Sequence, residues 1–322
     1  MRVLARETVL RLLDMPSCIR AVEQAFRARG DGGAAPSAMS GLELARGTLH
    51  AKMAALSLSR PYAVAKVNAN FPRNPAESDL PTIQGVLILF DAANGVPLAV
   101  MDSAPITTSR TAAASAVAAD RLARADASTA TFIGCGVQAR AHLEALCQVR
   151  RLTRIFAIDS RATVAEEFST LAHDFDALDV TVGSSIPAAA RASDIIVTTT
   201  PSRCALLDID DVSPGTFVAA VGADNEHKQE IAPALLGAAA VIVDDLEQCA
   251  RFGDLHHALA AGGMRREDVR ASLDQIVAGT KTGRLGDAEI IVFDSTGLAI
   301  EDVAAAALVY ERAADEVESL LN

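Results

Sequence analysis

Aromatic side chains are scarce in this chain of 322 residues, which has no tryptophan, two tyrosines and ten phenylalanines. A core must therefore be filled by Val, Ile, Leu and Ala, which suits parallel α/β sheets covered by helices on both faces. Cationic residues are also in the minority. Twenty-nine Lys and Arg stand against 41 Asp and Glu, a net charge of −12. That excludes the basic face a nucleic-acid partner requires and offers nothing to an anionic membrane surface. No run of about 18 uncharged apolar residues occurs, so no membrane-spanning helix is expected. The opening Met1-Arg2-Val3-Leu4-Ala5-Arg6-Glu7 has no apolar h-region of a signal peptide. The five cysteines, Cys18, Cys135, Cys147, Cys204 and Cys249, are scattered and odd in number. They form neither a disulfide framework nor a zinc pattern and are expected to serve as small hydrophobes in a reducing cytosol. The chain reads as a soluble cytoplasmic protein.

The length suits two domains of ordinary size. An opening helix carries Ile19, Val22 and Phe26 on one face, with Asp14 or Ser17 as its cap, and stops at Gly30-Asp31-Gly32-Gly33. Strands follow at Thr48–Met53, Tyr62–Asn70, Val86–Phe90 and Val96–Met101. Asn94-Gly95 between the last two is a hairpin signal, and the region is expected to form an antiparallel sheet. Thr107 to Ala125 is Ala-rich and reads as a long helix. Short apolar runs then alternate with helical stretches, at Thr131–Ile133, Ile155–Ile158, Val180–Val182, Ile195–Thr199, Phe217–Val221, Val241–Val243 and Ile290–Phe293. This is the pattern of a doubly wound parallel sheet. An amphipathic helix, Ala299 to Leu321, closes the chain. The expected fold class is α/β, with an N-terminal α+β domain over 1–110, a Rossmann domain over 111–300, and a final segment, 301–322, returning to the first domain.

The run Thr129-Ala130-Thr131-Phe132-Ile133 leads into Gly134-Cys135-Gly136-Val137-Gln138-Ala139 and then a helix. This is G-x-G-x-x-A in its required strand–turn–helix setting. Gly134 permits the tight turn, Gly136 lets the backbone approach a pyrophosphate, and the helix N-terminus offers N–H donors to the phosphates. A second strand ends in Asp159, 23 positions after Gly136, where a carboxylate accepts the adenosine ribose hydroxyls and repels a 2′-phosphate. NAD is the expected cofactor, with NADH favoured over NADPH; Arg161 is the one neighbour suited to holding a 2′-phosphate instead. Gly253-Asp254-Leu255-His256-His257 lacks a carboxylate–His spacing for a metal, and no metal site is expected.

Six ordered stretches carry a broader likeness: Lys66-Val67-Asn68 with Phe71-Pro72-Arg73-Asn74; Leu80-Pro81-Thr82-Ile83-Gln84-Gly85; Arg110-Thr111-Ala112-Ala113; Ile133 to Ala139; Val221-Gly222-Ala223-Asp224 with Lys228 and Glu230; and Phe293-Asp294-Ser295-Thr296-Gly297-Leu298-Ala299. On these the chain resembles the ornithine cyclodeaminase/mu-crystallin family over nearly its whole length. The resemblance implies a homodimer built through the N-terminal domain, which binds substrate and is completed by the C-terminal helix. It also implies chemistry at the carbon bearing an amino acid's nitrogen. Carried over by position, Lys66 and Arg110 are ligands of the substrate carboxylate, a group that needs a cation once it leaves water. Asp224 is the proton donor or acceptor, and Thr296 touches substrate. Thr82, Arg110, Val137, Gln138, Thr199, Val221, Lys228 and Ser295 join Gly134, Gly136 and Asp159 at the cofactor.

Two departures bear on the substrate. The family's N-terminal Pro-Arg, whose Arg also grips the carboxylate, is replaced by Pro36-Ser37-Ala38-Met39, with Arg46 a distant candidate. Glu226-His227 stands where Pro-Gly is usual. The expected reaction is hydride transfer to the Cα of a small imino acid, a cyclic ketimine such as pyrroline-2-carboxylate or an acyclic imine, giving an L-amino acid. The alternatives are cyclisation of ornithine to proline with loss of ammonia, and, in another class, a non-catalytic crystallin-like binding protein.

Overall fold

The computed structural model describes residues 1–173, 175 and 178–321, and side chains as far as Ala314; Asn322, within the expected C-terminal segment, lies outside the described residues. The chain divides into two compact units, Met1–Ala113 together with the segment from Leu298 onward, and Ala114–Gly297.

The first unit is built on a sheet of six strands, β1 (Arg2–Leu4), β2 (Ala38–Leu44), β3 (Gly47–Ser57), β4 (Pro61–Asn70), β5 (Ile83–Asp91) and β6 (Pro97–Asp102), in the order β1-β6-β5-β4-β3-β2. Four of its five pairings are antiparallel, and β5 and β6 form the hairpin that Asn94-Gly95 signals. The all-antiparallel expectation is corrected at one edge, where β1 runs parallel to β6. The sequence reading misses β1 and β2. Three residues are too few to show alternation, while β2 contains Ser40 and Gly41 and is exposed along its length.

Helices α1 (Arg6–Leu12), α2 (Met15–Gly30), α3 (Asn74–Glu77) and α4 (Ser103–Leu122) are joined in sequence with these strands. Asp14 caps α2 by accepting the Ser17 N–H, and Cys18, Val22, Ala25 and Phe26 form its buried face. Ile19, expected on that face, is only half-buried. The C-terminal helix (Ala299–Leu321) packs against α2, β3 and β4. Strand β4 turns Tyr62, Val64 and Lys66 inward, so a lysine occupies a core position. Helix α4 begins four residues before the expected Thr107. Asp102 accepts the Ala104 N–H at 2.9 Å, and Pro105 sits in the first turn, where its missing N–H goes unneeded. Arg110 therefore lies two turns inside the helix, not at its opening.

The second unit holds an eight-stranded sheet. Its strands are β7 (Thr129–Ile133), β8 (Arg154–Ile158), β9 (Asp179–Val182), β10 (Ile195–Thr198), β12 (Phe217–Ala220), β14 (Ala240–Val243), β15 (Ala271–Ser272) and β16 (Ile291–Asp294). They lie in the order β15-β14-β16-β12-β10-β7-β8-β9, every pairing parallel. A separate parallel pair joins β11 (Arg203–Leu207) to β13 (Gln229–Ile231). The seven expected strands are present; β11, β13 and β15 are additions too short or too polar to stand out. The intervening helices are α5 (Val137–Val149), α6 (Ala162–Ala172), α7 (Ile186–Arg191), α8 (Pro233–Ala238), α9 (Leu246–Phe252), α10 (Asp254–Ala260) and α11 (Leu273–Val277). Ile133, Ile196, Val218, Val241 and Val292 meet Leu235, Leu236 and Leu255 in one core. The chain leaves β7 toward β8 and β9, then returns to β10 on the other side of β7. That reversal is the topological switch point where doubly wound sheets bind ligands, beyond the carboxyl ends of the strands.

Candidate active site

In the first unit the two expected cations are buried together. Lys66, on β4, is 3% exposed and Arg110, on α4, 5%. Their counter-ions come from the first turn of the C-terminal helix. Lys66 Nζ lies 2.6 Å from Asp302 Oδ2; Arg110 donates from Nε to Asp302 Oδ1 at 3.0 Å and from Nη1 to Glu301 Oε2 at 2.8 Å. Arg110 Nη2 has no protein partner among the described residues. Thr107 Oγ1 is 3.4 Å from Lys66 Nζ. Burial opposes charge on all these groups, and the outcome differs among them. It pulls Lys66 down to about 8 against the attraction of Asp302, with Arg110 and Lys52 pushing the same way as burial. For Arg110 the two carboxylates outweigh burial and hold the guanidinium protonated. For Asp302 burial is overcome by Lys66 and Arg110, and the acid is held below its ordinary range. At neutral pH Lys66, Arg110 and Asp302 are all charged. Thr82, also in this unit, accepts the Phe71 N–H at its carbonyl, 2.8 Å away.

In the second unit the expected cofactor residues gather at the carboxyl ends of the parallel strands. Gly134, just past β7, has φ +84°, and a Cβ there would meet Thr199 O at 2.9 Å and Thr200 Cγ2 at 2.8 Å. Only glycine fits. Gly136 caps α5 in extended backbone, φ −76° and ψ −160°, which any residue adopts, and a Cβ added to it would meet no protein atom within 4 Å. The fold therefore does not require glycine at 136, whereas a group pressed against that backbone would. The first turn of α5 has no side-chain cap, Val137 is 68% exposed, and Gln138 Oε1 is buried without a partner among the described residues. Open N–H donors at a helix start and room at Gly136 suit a dinucleotide's phosphates, while the orphaned amide oxygen, an acceptor, is suited to a hydroxyl or amide donor of the same ligand.

Neighbouring strands brace this turn. Thr199 donates to the Gly134 carbonyl at 2.9 Å. Asp159, at the end of β8, accepts the Cys135 N–H at 2.9 Å and the Arg161 N–H at 2.9 Å, while the Arg161 guanidinium lies 3.6 Å away and is largely exposed. On the inner face of α5, His142 is fully buried. Its Nδ1 is 2.8 Å from the Gln138 carbonyl and its Nε2 3.0 Å from Ser115 Oγ. Burial pushes its pKa down to about 4, so the ring is neutral, Nδ1 donates to Gln138 and Ser115 donates to Nε2.

After β12, Val221 donates its N–H to the Thr198 carbonyl at 3.1 Å. Asp224 is half-exposed, its Oδ1 2.8 Å from Lys228 Nζ. The loop between them is anchored by Glu230, which accepts from Thr198 Oγ1 at 2.6 Å, Thr200 N at 2.6 Å and Gly222 N at 2.7 Å. Burial pushes Glu230 above its ordinary pKa. After β16, Ser295 and Thr296 are both buried and turned toward Asp244. Thr296 gives it its N–H at 2.7 Å and its hydroxyl at 3.1 Å, and accepts from Gln248 at 2.9 Å; Ser295 Oγ lies 3.4 Å from Asp244. The Thr296 hydroxyl proton, expected at substrate, is thus committed inside the unit. His256 and His257 each bond a backbone carbonyl, of Ala250 and Lys228.

Asp302, Glu301 and Asp244 are absent from the sequence reading, and Glu230 enters it only within a family motif, with no role of its own. The signal for the first two is Glu301-Asp302 inside the apolar run Ala299-Ile300 and Val303 to Ala307, since fully buried acids are rare unless paired. Asp244 lies on no recognisable spacing.

The ornithine cyclodeaminase/mu-crystallin family profile matches residues 1–317. An alanine dehydrogenase of Archaeoglobus fulgidus is 41% identical over 313 residues, 97% of this chain and 94% of the relative. An archaeal alanine dehydrogenase dimer with bound NAD superposes with a TM-score of 0.94 at 40% identity, over 98% of this chain and 97% of that one. The Δ1-pyrroline-2-carboxylate reductase of Thermococcus litoralis, in complex with NADH and L-proline, superposes with a TM-score of 0.94 at 31% identity, over 98% of both chains. Sequence and fold agree along the whole length, and the chain belongs to the ornithine cyclodeaminase/mu-crystallin family.

Proposed function

We propose that this protein is an NAD(H)-dependent oxidoreductase that reduces a small imino acid to its L-amino acid, and runs the reverse oxidation. The observation that carries the reading is the buried Lys66–Asp302–Arg110–Glu301 cluster. Its acids hold both cations charged in a dry setting, and among the described residues Arg110 keeps a donor edge without a protein partner. Such a pair grips an α-carboxylate strongly because the site excludes competing water. Gripping it fixes the adjacent Cα, and orientation of this kind accounts for much of the rate in reactions between two bound partners.

When bound, the nicotinamide dinucleotide donates or accepts the hydride. The Gly134 turn and the α5 N-terminus seat its pyrophosphate, and Asp159 takes the ribose hydroxyls, which favours NADH over NADPH. Asp224 serves the substrate nitrogen, as a carboxylate that stabilises an iminium or as the acid that protonates it. Ala-, proline- and aspartate-forming imines all share the carboxylate and the C=N carbon that these groups address. Within the first unit, the outer sheet face leaves Met53, Val67 and Val86 nearly half exposed, an apolar surface suited to homodimerisation.

The test is NADH consumption with Δ1-pyrroline-2-carboxylate, Δ1-piperideine-2-carboxylate, and pyruvate or oxaloacetate with ammonium, beside proline and ammonia release from ornithine with catalytic NAD. NADH oxidation with at least one imine supports the reading. Rapid cyclisation of ornithine with no imine reduction replaces it by cyclodeamination.

A further inference from the structure

Three strands of the second unit end side by side. In register, Ile133 of β7 lies beside Thr198 of β10, and Thr198 beside Ala220 of β12. The Gly134 turn, the pair Thr199-Thr200 and the segment Val221 to Asp224 therefore leave the sheet as neighbours. One side chain from outside that sheet ties them. Glu230, on β13, is fully buried. Its Oε1 accepts the Thr200 N–H at 2.6 Å; its Oε2 accepts the Thr198 hydroxyl at 2.6 Å and the Gly222 N–H at 2.7 Å. A Cβ at Gly222 would overlap Glu230 Oε1 and the Thr200 carbonyl oxygen, so the carboxyl group is packed between the two loops. Its own backbone is held in turn. Asp254 accepts the Glu230 and Ile231 N–H groups at 2.7 and 2.9 Å, and Asp294, at the end of β16, accepts those of Asp254 and Leu255 at 3.2 and 2.9 Å.

Each end of this bridge bears on the reaction. The Thr200 methyl and the Thr199 carbonyl are what exclude a Cβ at Gly134, and the Thr199 hydroxyl donates to the Gly134 carbonyl. Gly222 lies two residues before Asp224. From this geometry we propose that Glu230 is a positioning residue, which fixes Asp224 relative to the pyrophosphate turn and acts on the reaction through Asp224. The proposal rests on the reading of Asp224 at the substrate nitrogen. It makes a definite demand on chemistry at position 230. Both carboxyl oxygens receive a backbone N–H, so a glutamine there sets its –NH2 against one of them whichever way it turns. The amide oxygen goes where two donors converge, at Thr198 and Gly222, and the link to Thr200 is lost.

A cycle of Glu230→Gln, Asp224→Asn and the double variant separates this role from a structural one. NADH titration counts the folded sites, and kcat is expressed per site with the imine that wild type reduces best. Misplacement on the order of an ångström costs up to roughly a hundredfold, so Glu230→Gln lowers kcat per site roughly ten- to a hundredfold. The KM for the imine and the NADH affinity change by less than about threefold, because the groups that bind both are untouched. Asp224→Asn is slow by itself, and adding Glu230→Gln to it lowers kcat by less than about threefold further, since residues that act as a unit are not additive. If Glu230→Gln does not fold, Thr198→Val, which removes one donor of the bridge and keeps its shape, enters the same cycle with an expected loss of about three- to tenfold. A kcat per site within about twofold of wild type, or a double variant whose loss is the product of the two single losses, overturns the proposal and leaves the reading of Asp224 standing. Normal turnover in Asp224→Asn overturns both.

Discussion

Lys66 titrates within reach of an ordinary assay, and that makes the carboxylate site testable without a mutation. Burial drops its pKa from 10.5 to about 8, a differential of about 3 kcal/mol between its two protonation states. The sign is that of a depressed base: Lys66 is charged below about 8 and loses its charge as pH rises through that value. If only the protonated form grips the carboxylate, the ligand's dissociation constant rises about tenfold between pH 7 and pH 9, as the protonated fraction falls from about nine-tenths to about one-tenth. Pyruvate, titrated into the protein with NADH and no ammonium, is a suitable probe because it carries no group that ionises in that range. Lys66→Arg flattens the profile, since guanidinium keeps its proton throughout. Pyruvate affinity that is equal at pH 7 and pH 9 in wild type would refute the assignment of Lys66.

Other consequences follow from the same geometry. Asp302→Asn leaves Lys66 and part of Arg110 buried without their shared counter-charge and costs about 3–5 kcal/mol of stability; a loss below about 1 kcal/mol in urea unfolding contradicts the cluster as described. Gly134→Ala forces a Cβ against Thr199 and Thr200 at positive φ and destabilises by about 1–3 kcal/mol, whereas Gly136→Ala leaves the melting temperature unchanged and weakens NADH binding. A Gly136→Ala protein with normal NADH affinity removes the pyrophosphate from that backbone. His142, held neutral with its pKa at about 4, contributes stability that is full above about 6.5 and is lost as pH falls toward 4, about 3 kcal/mol in all. The difference in unfolding free energy between wild type and His142→Gln therefore shrinks across that window, and a pH-independent difference refutes the buried neutral ring.

What could be read from the sequence follows physical range. The alternation of apolar runs and helices marks the parallel sheet strand by strand, because strands buried on both faces are continuous apolar stretches. The Gly134 turn and Asp159 are legible because their spacing is local. Lys66 stands out as a cation within the apolar run Tyr62–Val67, and Arg110 through its motif. Their counter-ions do not, since Glu301 and Asp302 lie about 190 residues downstream of Arg110 and only the fold brings the C-terminal helix beside β4. Strand β2 has too little apolar alternation to be read at all. Thr296 carries the reverse lesson: its motif points to substrate, while its hydroxyl proton goes to Asp244.

The central claim is that hydride passes between the nicotinamide and the Cα of an imino acid. Its most direct test is to supply NADH deuterated at C4, in each of the two stereochemical forms, with the imine the protein reduces fastest, and to locate the label in the product. The account predicts one deuterium at Cα of the L-amino acid, from one of the two labelled forms only. Product without deuterium at Cα from either form, or a Cα hydrogen that exchanges in from solvent, contradicts it.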